Sequence, residues 1–299
     1  MKNLWQRGAI ALILVGIVSG CNLTEPSPPS RLPQIGREKP RVQQPKPSTK
    51  EPISSAINNR NLLLGNPSNA VSSIASIDNY LMVRPQFVLS YNSKTKTANW
   101  VSWQLNKSWI GAADRQDNFR PDDSLPADWY KVRPNDYTGS GYDRGHIAPS
   151  ADRTRNKGDN SSTFLMTNMM PQVPELNRGL WGDLEDYCRE LVAQGKELYI
   201  VAGPVGRKGS IGRKEKIAVP TRNWKVIVVL DQQGLGMQGI TNNTRTIAVM
   251  MPNDASVKGS GWKSFRVPVA KVEKETGLNF LSNVPPQVQQ VIESKVDSQ

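Results

Sequence analysis

Histidine and cysteine are the scarcest reagents in this chain: its 299 residues hold one histidine, His146, and two cysteines, Cys21 and Cys188. Cys21 belongs to an N-terminal apolar segment, so Cys188 stands alone in the remainder and no disulfide can form there. One thiol and one imidazole cannot supply four soft ligands, which excludes a Cys/His zinc site. Any bound metal must be a hard cation held by oxygen, such as Mg²⁺, Mn²⁺ or Ca²⁺. Internal repeats are lacking. So is a comfortable transmembrane run, since the longest apolar stretch, Ala9 to Val18, is too short to span a bilayer easily.

That short run is an export signal. In "MKNLWQRGAIALILVGIVSGC" (1–21), Lys2 and Arg7 precede the apolar stretch and small residues follow it. The ending "VSGC" resembles a bacterial lipobox, which implies lipidation of Cys21; the alternative is an ordinary signal cleaved nearby, with Cys21 incidental. Residues 22–59 carry eight prolines between Pro26 and Pro52 and read as a disordered linker. Residues 60–299 are the expected folded domain. The expected location is exported: lipid-anchored in the cell envelope, in the periplasm or on the outer surface, or secreted.

Charge of one sign is in short supply, with 26 acidic residues against 38 basic ones, a formal net charge of +12. Leaving out the eight basic and three acidic residues of 1–59 keeps the domain at +7. Such a balance suits an anionic partner, nucleic acid, phosphate or membrane surface, or else a surface rich in solvated lysines.

Several segments are legible as structure. "QFVLSYNSKTKTANWVSWQL" (86–105) reads as two strands around a polar turn. "ELYIVAG" (197–203), "WKVIVVLD" (224–231) and "RTIAVMMP" (245–252) are β-branched runs suited to the centre of a sheet covered on both faces. "NRGLWGDLEDYCRELVAQGK" (177–196) reads as one amphipathic helix, with Leu180, Leu184, Tyr187, Cys188 and Leu191 on its core face. A second helix is expected within 285–296. Strands and helices mix without regular βαβ alternation, so the expected fold is α+β, a mainly antiparallel central sheet flanked by helices.

The lone histidine sits in "YDRGHIAP" (142–149). Asp-Arg-Gly is ordinary turn chemistry by itself, and Glu185 with Arg189 could be a plain surface pair one helical turn apart. Asn177 near a helix start could be a cap. Together the residues say more, since Asn177, Trp181, Glu185 and Arg189 recur every fourth position as one slowly turning row. "DRGH" (143–146), Asn177 and "LEDYCRE" (184–190) resemble the DNA/RNA non-specific endonucleases of the ββα-metal, or His-Me finger, superfamily, most closely the NucA-type sugar-non-specific nucleases. The likeness runs through "WVSWQLN" (100–106), "RQDNFRPD" (115–122) and "FLMTNMMPQ" (164–172) to "FLSNV" (280–284).

The resemblance implies a ββα-metal finger within the fold and a role for each matching residue. His146 would be the general base that activates water. Asn177 would ligate one divalent ion, Mg²⁺ or Mn²⁺, directly, and Glu185 would act on it through water. Arg115 and Arg189 would contact the phosphate, and Asp143 and Arg144 would frame the base. Products would carry 5′-phosphates, and DNA and RNA, single- or double-stranded, would be substrates. A protein inhibitor is a further candidate partner.

Elementary chemistry agrees with those roles. Imidazole is neutral and basic near pH 7. A hard dication and guanidinium forks can stabilise the charge developing on a phosphorane. A backbone carbonyl or other acceptor on the second ring nitrogen would orient the base. An unbroken helix would separate Asn177 from Glu185 by about 12 Å along its axis, too far to share one ion directly; Asn177 is therefore expected at or just before the helix start. Arg120, Arg153, Arg155 and Arg178 are additional candidates for gripping nucleic acid. The basic loops "DRTRNKGD" (152–159) and "RKGSIGRKEK" (207–216) could track phosphates or simply be solvated. Two competing readings are a non-catalytic nucleic-acid-binding lipoprotein and an envelope hydrolase of some other phosphodiester.

Overall fold

Alternating β-branched and aromatic runs build most of this molecule. A computed structural model describes residues 59–299. The export signal, Cys21 and the linker through residue 58 lie outside the described residues.

The strands are β1 (Tyr80–Val83), β2 (Val88–Asn92), β3 (Thr97–Leu105), β4 (Asp143–His146), β5 (Met169–Gln172), β6 (Glu197–Val205), β7 (Gly209–Ile211), β8 (Ile217–Val219), β9 (Arg222–Leu230), β10 (Arg245–Pro252) and β11 (Arg266–Val267). The helices are α1 (Lys157–Ser162), α2 (Trp181–Ala193), α3 (Val269–Thr276) and α4 (Pro286–Glu293). Seven strands form one sheet in the order β1-β2-β3-β6-β9-β10-β11. Every neighbouring pair in it is antiparallel. The three β-branched runs lie side by side as the interior strands β6, β9 and β10, and the turn between β2 and β3 is the expected polar one. The fold is α+β.

The pleat sends alternate side chains to opposite faces. Leu198, Ile200 and Ala202 of β6, with Ile227 and Val229 of β9, share a core with Leu180, Leu184, Cys188 and Leu191 around α2. Tyr199, Val201, Trp224, Val226 and Val228 point the other way, into a core with Val269, Val272, Phe280, Leu281 and Ile292 around α3 and α4. Burying a leucine-sized side chain contributes roughly 1.5–3 kcal/mol, so the core stripe alone accounts for docking α2 on the sheet. Among the described residues no helix is long and apolar enough to cross a membrane.

Candidate active site

Two short strands outside the main sheet carry the DRGH block. β4 pairs antiparallel with β5, Asp143 opposite Gln172 and His146 opposite Met169. The glycine of the block is required by close approach. A Cβ on Gly145 would lie 2.5 Å from Gln172 Cδ and closer still to its Oε1. After β5 the chain makes one wide helical turn, Leu176–Leu180, in which Gly179 (φ −111°, ψ −115°) leaves helical geometry. The expectation of a single helix from residue 177 is thereby corrected: α2 starts at Trp181, and Asn177 stands ahead of it on a separate turn.

His146 ends β4 and is almost sealed, with 9% of its surface exposed. Its backbone carbonyl accepts a hydrogen bond from Trp181 Nε1 at 3.3 Å, tying strand to helix. The ring packs edge-on against Phe164, centroids 4.9 Å apart, and tilted against Phe119 at 5.5 Å. Arg144 lies over the Phe119 ring at 4.4 Å, and Arg115 over the Phe164 ring at 4.9 Å. Two guanidiniums therefore sit on the aromatic rings that clamp the imidazole. Burial, reinforced by Arg115 and Arg144, pulls the His146 pKa down to about 3, which keeps the ring neutral. The expected acceptor on the second ring nitrogen is not there, since buried Nε2 has no hydrogen-bond partner among the described residues. Aromatic packing orients the imidazole instead.

Asp143 organises the next layer. Its Oδ2 accepts from Asn177 Nδ2 at 2.9 Å and from Arg178 Nε at 2.8 Å, and its Oδ1 from Arg178 Nη2 at 2.7 Å. Burial opposes its ionisation, but the hydrogen bonds from Arg178 and Asn177 hold the carboxyl below its usual range. The amide nitrogen of Asn177 is thus committed to Asp143, which turns its carbonyl oxygen into the end available to a hard cation. Arg115, Asp143, Arg144, Asn177 and Arg178 all line one cleft of about 280 Å³. Arg115 also donates to Ser150 Oγ at 2.8 Å and to Asp117 at 2.7 Å.

Glu185 lies deeper, on α2, its side chain 14% exposed. Its partner is not Arg189 but Lys225, whose Nζ is 3.4 Å from Glu185 Oε1. Lys225 is 1% exposed and lies over the Trp181 ring at 4.2 Å. It shares the pleat face of Ile227 and Val229, so the strand alternation itself aims it at α2. Burial raises the Glu185 pKa to about 7 against the pull of Lys225, while the nearby Asp152 charge adds to the rise. Arg189 donates to Asp152 at 2.9 Å and also pairs with Asp186. Asp152 in turn accepts from Trp103 Nε1 at 2.9 Å.

Other arginines behave differently from expectation. Arg153 is corrected: it is completely buried, its guanidinium donating to the carbonyls of Gln86, Gln104 and Asp152 and lying over Trp109 at 4.2 Å, so it is a structural strut with no route to a phosphate. Arg120 donates to the carbonyls of Ser161 and Asn118, and Arg155 pairs with Asp159, both away from the cleft lining. Phe119, Phe164, Asp152 and Lys225 are site residues that motif reading passed over. Lys225 did leave a signal, as the one charge inside "WKVIVVL". The two phenylalanines left none, because aromatic rings in a loop are usually core.

The donor set fits a hard divalent ion. It offers the Asn177 amide oxygen in the cleft and, on α2, the Glu185 carboxylate, with no soft ligand. Among the described residues no three His, Cys, Asp or Glu side chains converge on a common point. Mg²⁺ tolerates so sparse a set because it keeps several waters.

Comparison with known proteins follows the same lines. The family model for DNA/RNA non-specific endonucleases matches residues 64–287. A nuclease from Nostoc sp. is 61% identical over 239 residues, covering 79% of this chain and 86% of that protein. Human mitochondrial endonuclease G is 34% identical over 217 residues, covering 68% of this chain and 70% of that one. Among solved structures, one described as the EndoG/EndoGI complex and the mechanism of EndoG inhibition aligns with a TM-score of 0.64 at 26% identity, covering 76% of this chain and 92% of the matched chain.

Proposed function

Because the chain belongs to the DNA/RNA non-specific endonuclease family, and so hydrolyses phosphodiester bonds of DNA and RNA, we propose that His146 is its general base and that its activity depends on one divalent ion. The observation that carries this is the neutral, aromatic-clamped imidazole beside a cleft that also presents Asn177 and two stacked guanidiniums.

Nε2 of His146 is sealed, so Nδ1 is the nitrogen that takes the proton from the attacking water. Asn177 through its carbonyl oxygen, and Glu185 through an intervening water, would hold Mg²⁺ or Mn²⁺, which when bound supplies a Lewis acid for charge growing on phosphorus and on the leaving 3′-oxygen. Arg115 and Arg144, held on their rings, point charge-assisted donors at the non-bridging oxygens. Asp143 fixes Asn177 and Arg178 and never touches the substrate. Arg189, already shared between two carboxylates, braces the Asp152–Glu185 wall, with its remaining N–H groups free for the phosphate. Loss of the 3′-oxygen leaves 5′-phosphate ends.

In the same reading the chain is exported and anchored through lipidated Cys21, which would put the nuclease in the cell envelope. A protein inhibitor would have this cleft to block. The test is one assay series: full chain and His146→Ala, each with plasmid and RNA, in Mg²⁺ and in EDTA. Wild-type cleavage lost in EDTA and in the variant is the expected result. Full activity in either would overturn the mechanism, and no second histidine exists to rescue the variant. Mass spectrometry of the N-terminus of protein recovered from membranes checks the anchor.

A further inference from the structure

The segment Arg207–Lys216 packs five cations into ten residues, and nothing in the reaction at His146 uses them. Some have local work: Arg207 Nε donates to Gly209 O, and Lys208 Nζ to Asn253 O. Arg213 and Lys214 do not. Both are exposed, and with Arg133, Tyr130, Asp136 and Thr138 they line a cavity of about 380 Å³. Among the described residues, none of Arg133, Arg213 and Lys214 has an ion-pair partner. The one carboxylate in the lining is already satisfied, Asp136 accepting from Tyr130 Oη at 3.0 Å on both oxygens and from the Arg133 N–H at 2.8 Å. The neighbouring Glu215 is drawn off to Lys96 at 3.2 Å.

This cavity adjoins the catalytic cleft. Thr138 lines both, and Pro134 of the same short turn (Pro134–Tyr137) lines the cleft. A strand leaving the cleft over Thr138 enters the second cavity directly. We propose that Arg133, Arg213 and Lys214 form a second phosphate subsite that holds the backbone of a DNA or RNA strand beyond the scissile phosphate. The proposal rests on the endonuclease reading and extends it. Three free cations against one satisfied carboxylate attract a polyanion and release its counterions on contact. Tyr130, its hydroxyl pinned by Asp136, offers a fixed aromatic wall on which a base can stack without regard to sequence. Backbone grip plus stacking is what a sequence-tolerant enzyme needs, and it treats DNA and RNA alike.

The test uses the full chain and the double variant Arg213→Glu/Lys214→Glu, exposed loop positions outside the catalytic groups. Substrates are a trinucleotide, too short to occupy both cavities, and a long oligonucleotide, in DNA and RNA versions. Wild type should prefer the long substrate in kcat/KM. The variant should lose about tenfold or more of that preference through KM, cleave the trinucleotide as wild type does, and show a salt dependence shallower by about one to two in log–log slope. Absence of a length preference in wild type, or an unchanged preference and slope in the variant, would overturn the subsite while leaving the endonuclease reading standing. A wild type that cuts no polymer at all would sink the endonuclease reading itself, and the subsite with it.

Discussion

A single strand, β9, shows how differently the two faces of the sheet are built. Toward α3 and α4 it presents Trp224, Val226 and Val228, all buried in a core of apolar neighbours. Toward α2 it presents Ile227 and Val229, but also Lys225, whose ammonium is buried against Glu185 and the Trp181 ring. The α2 side further buries Asp152, Arg153 and His146. Buried ion pairs are poor stabilisers, since desolvation offsets most of the Coulomb gain. One face is therefore organised for stability. The other gives up some of that stability to hold charges in fixed positions, and Trp181, which lies under the Lys225 ammonium, also donates to the His146 carbonyl.

Breaking each face should produce opposite phenotypes. The largest effect is expected for His146→Ala, where loss of the proposed base should slow cleavage by roughly 10²–10⁴-fold with the fold intact, checked by initial rates beside a thermal melt. Next comes Trp224→Ala on the far face, which should cost about 3–5 kcal/mol of stability in urea unfolding while the turnover of folded molecules stays at the wild-type level. A drop in turnover there would mean the two faces are coupled. Gly145→Ala should cost about 1–3 kcal/mol by forcing buried Gln172 aside, and because it disturbs the β4–β5 pair it should lower activity as well.

The remaining predictions concern pH. Glu185, raised to about 7 by burial, is protonated below that value, so cleavage should rise with pH through about 7. Added Mg²⁺ favours the ionised carboxylate and should move this limb to lower pH in rate profiles. Lys225 pulls the Glu185 value down, so Lys225→Met should move the same limb to higher pH, a smaller shift. His146, held near 3, should contribute no limb in the neutral range. Its depressed pKa also makes the unfolded chain the better proton binder between about 3 and 6.5, so stability falls on acidification across that window, and His146→Ala should flatten the slope.

Much of this was legible without coordinates. Continuous β-branched runs announced β6, β9 and β10, and the α2 core stripe announced the helix packed on them. The DRGH block, Asn177 and Glu185 were visible because each is rare or regularly spaced. The break at Gly179 was not visible, because a glycine within a helical pattern is usually tolerated. Nor was the fate of each arginine. Arg153 and Arg155 are two residues apart in a basic loop, yet one is a buried strut and the other a surface pair. Long-range partners decide that, and Gln86 and Gln104, the carbonyls that hold Arg153, are 67 and 49 residues away.

The sequence by itself determined the reagents: one imidazole, too few soft ligands for a zinc site, an excess of cations, and β-branched runs suited to a sheet covered on both faces. Composition and local period suffice for those, because they depend only on which residues are present and how closely they are spaced. The tertiary structure alone decided which charges are consumed inside the protein and which remain for a substrate. It spent Arg153 on backbone carbonyls, tied the Asn177 amide nitrogen to Asp143, and, among the described residues, left Arg133, Arg213 and Lys214 without an ion-pair partner beside the cleft. The physical reason is that a charge acquires its role from the groups that desolvate or pair it, and here those groups come from distant parts of the chain.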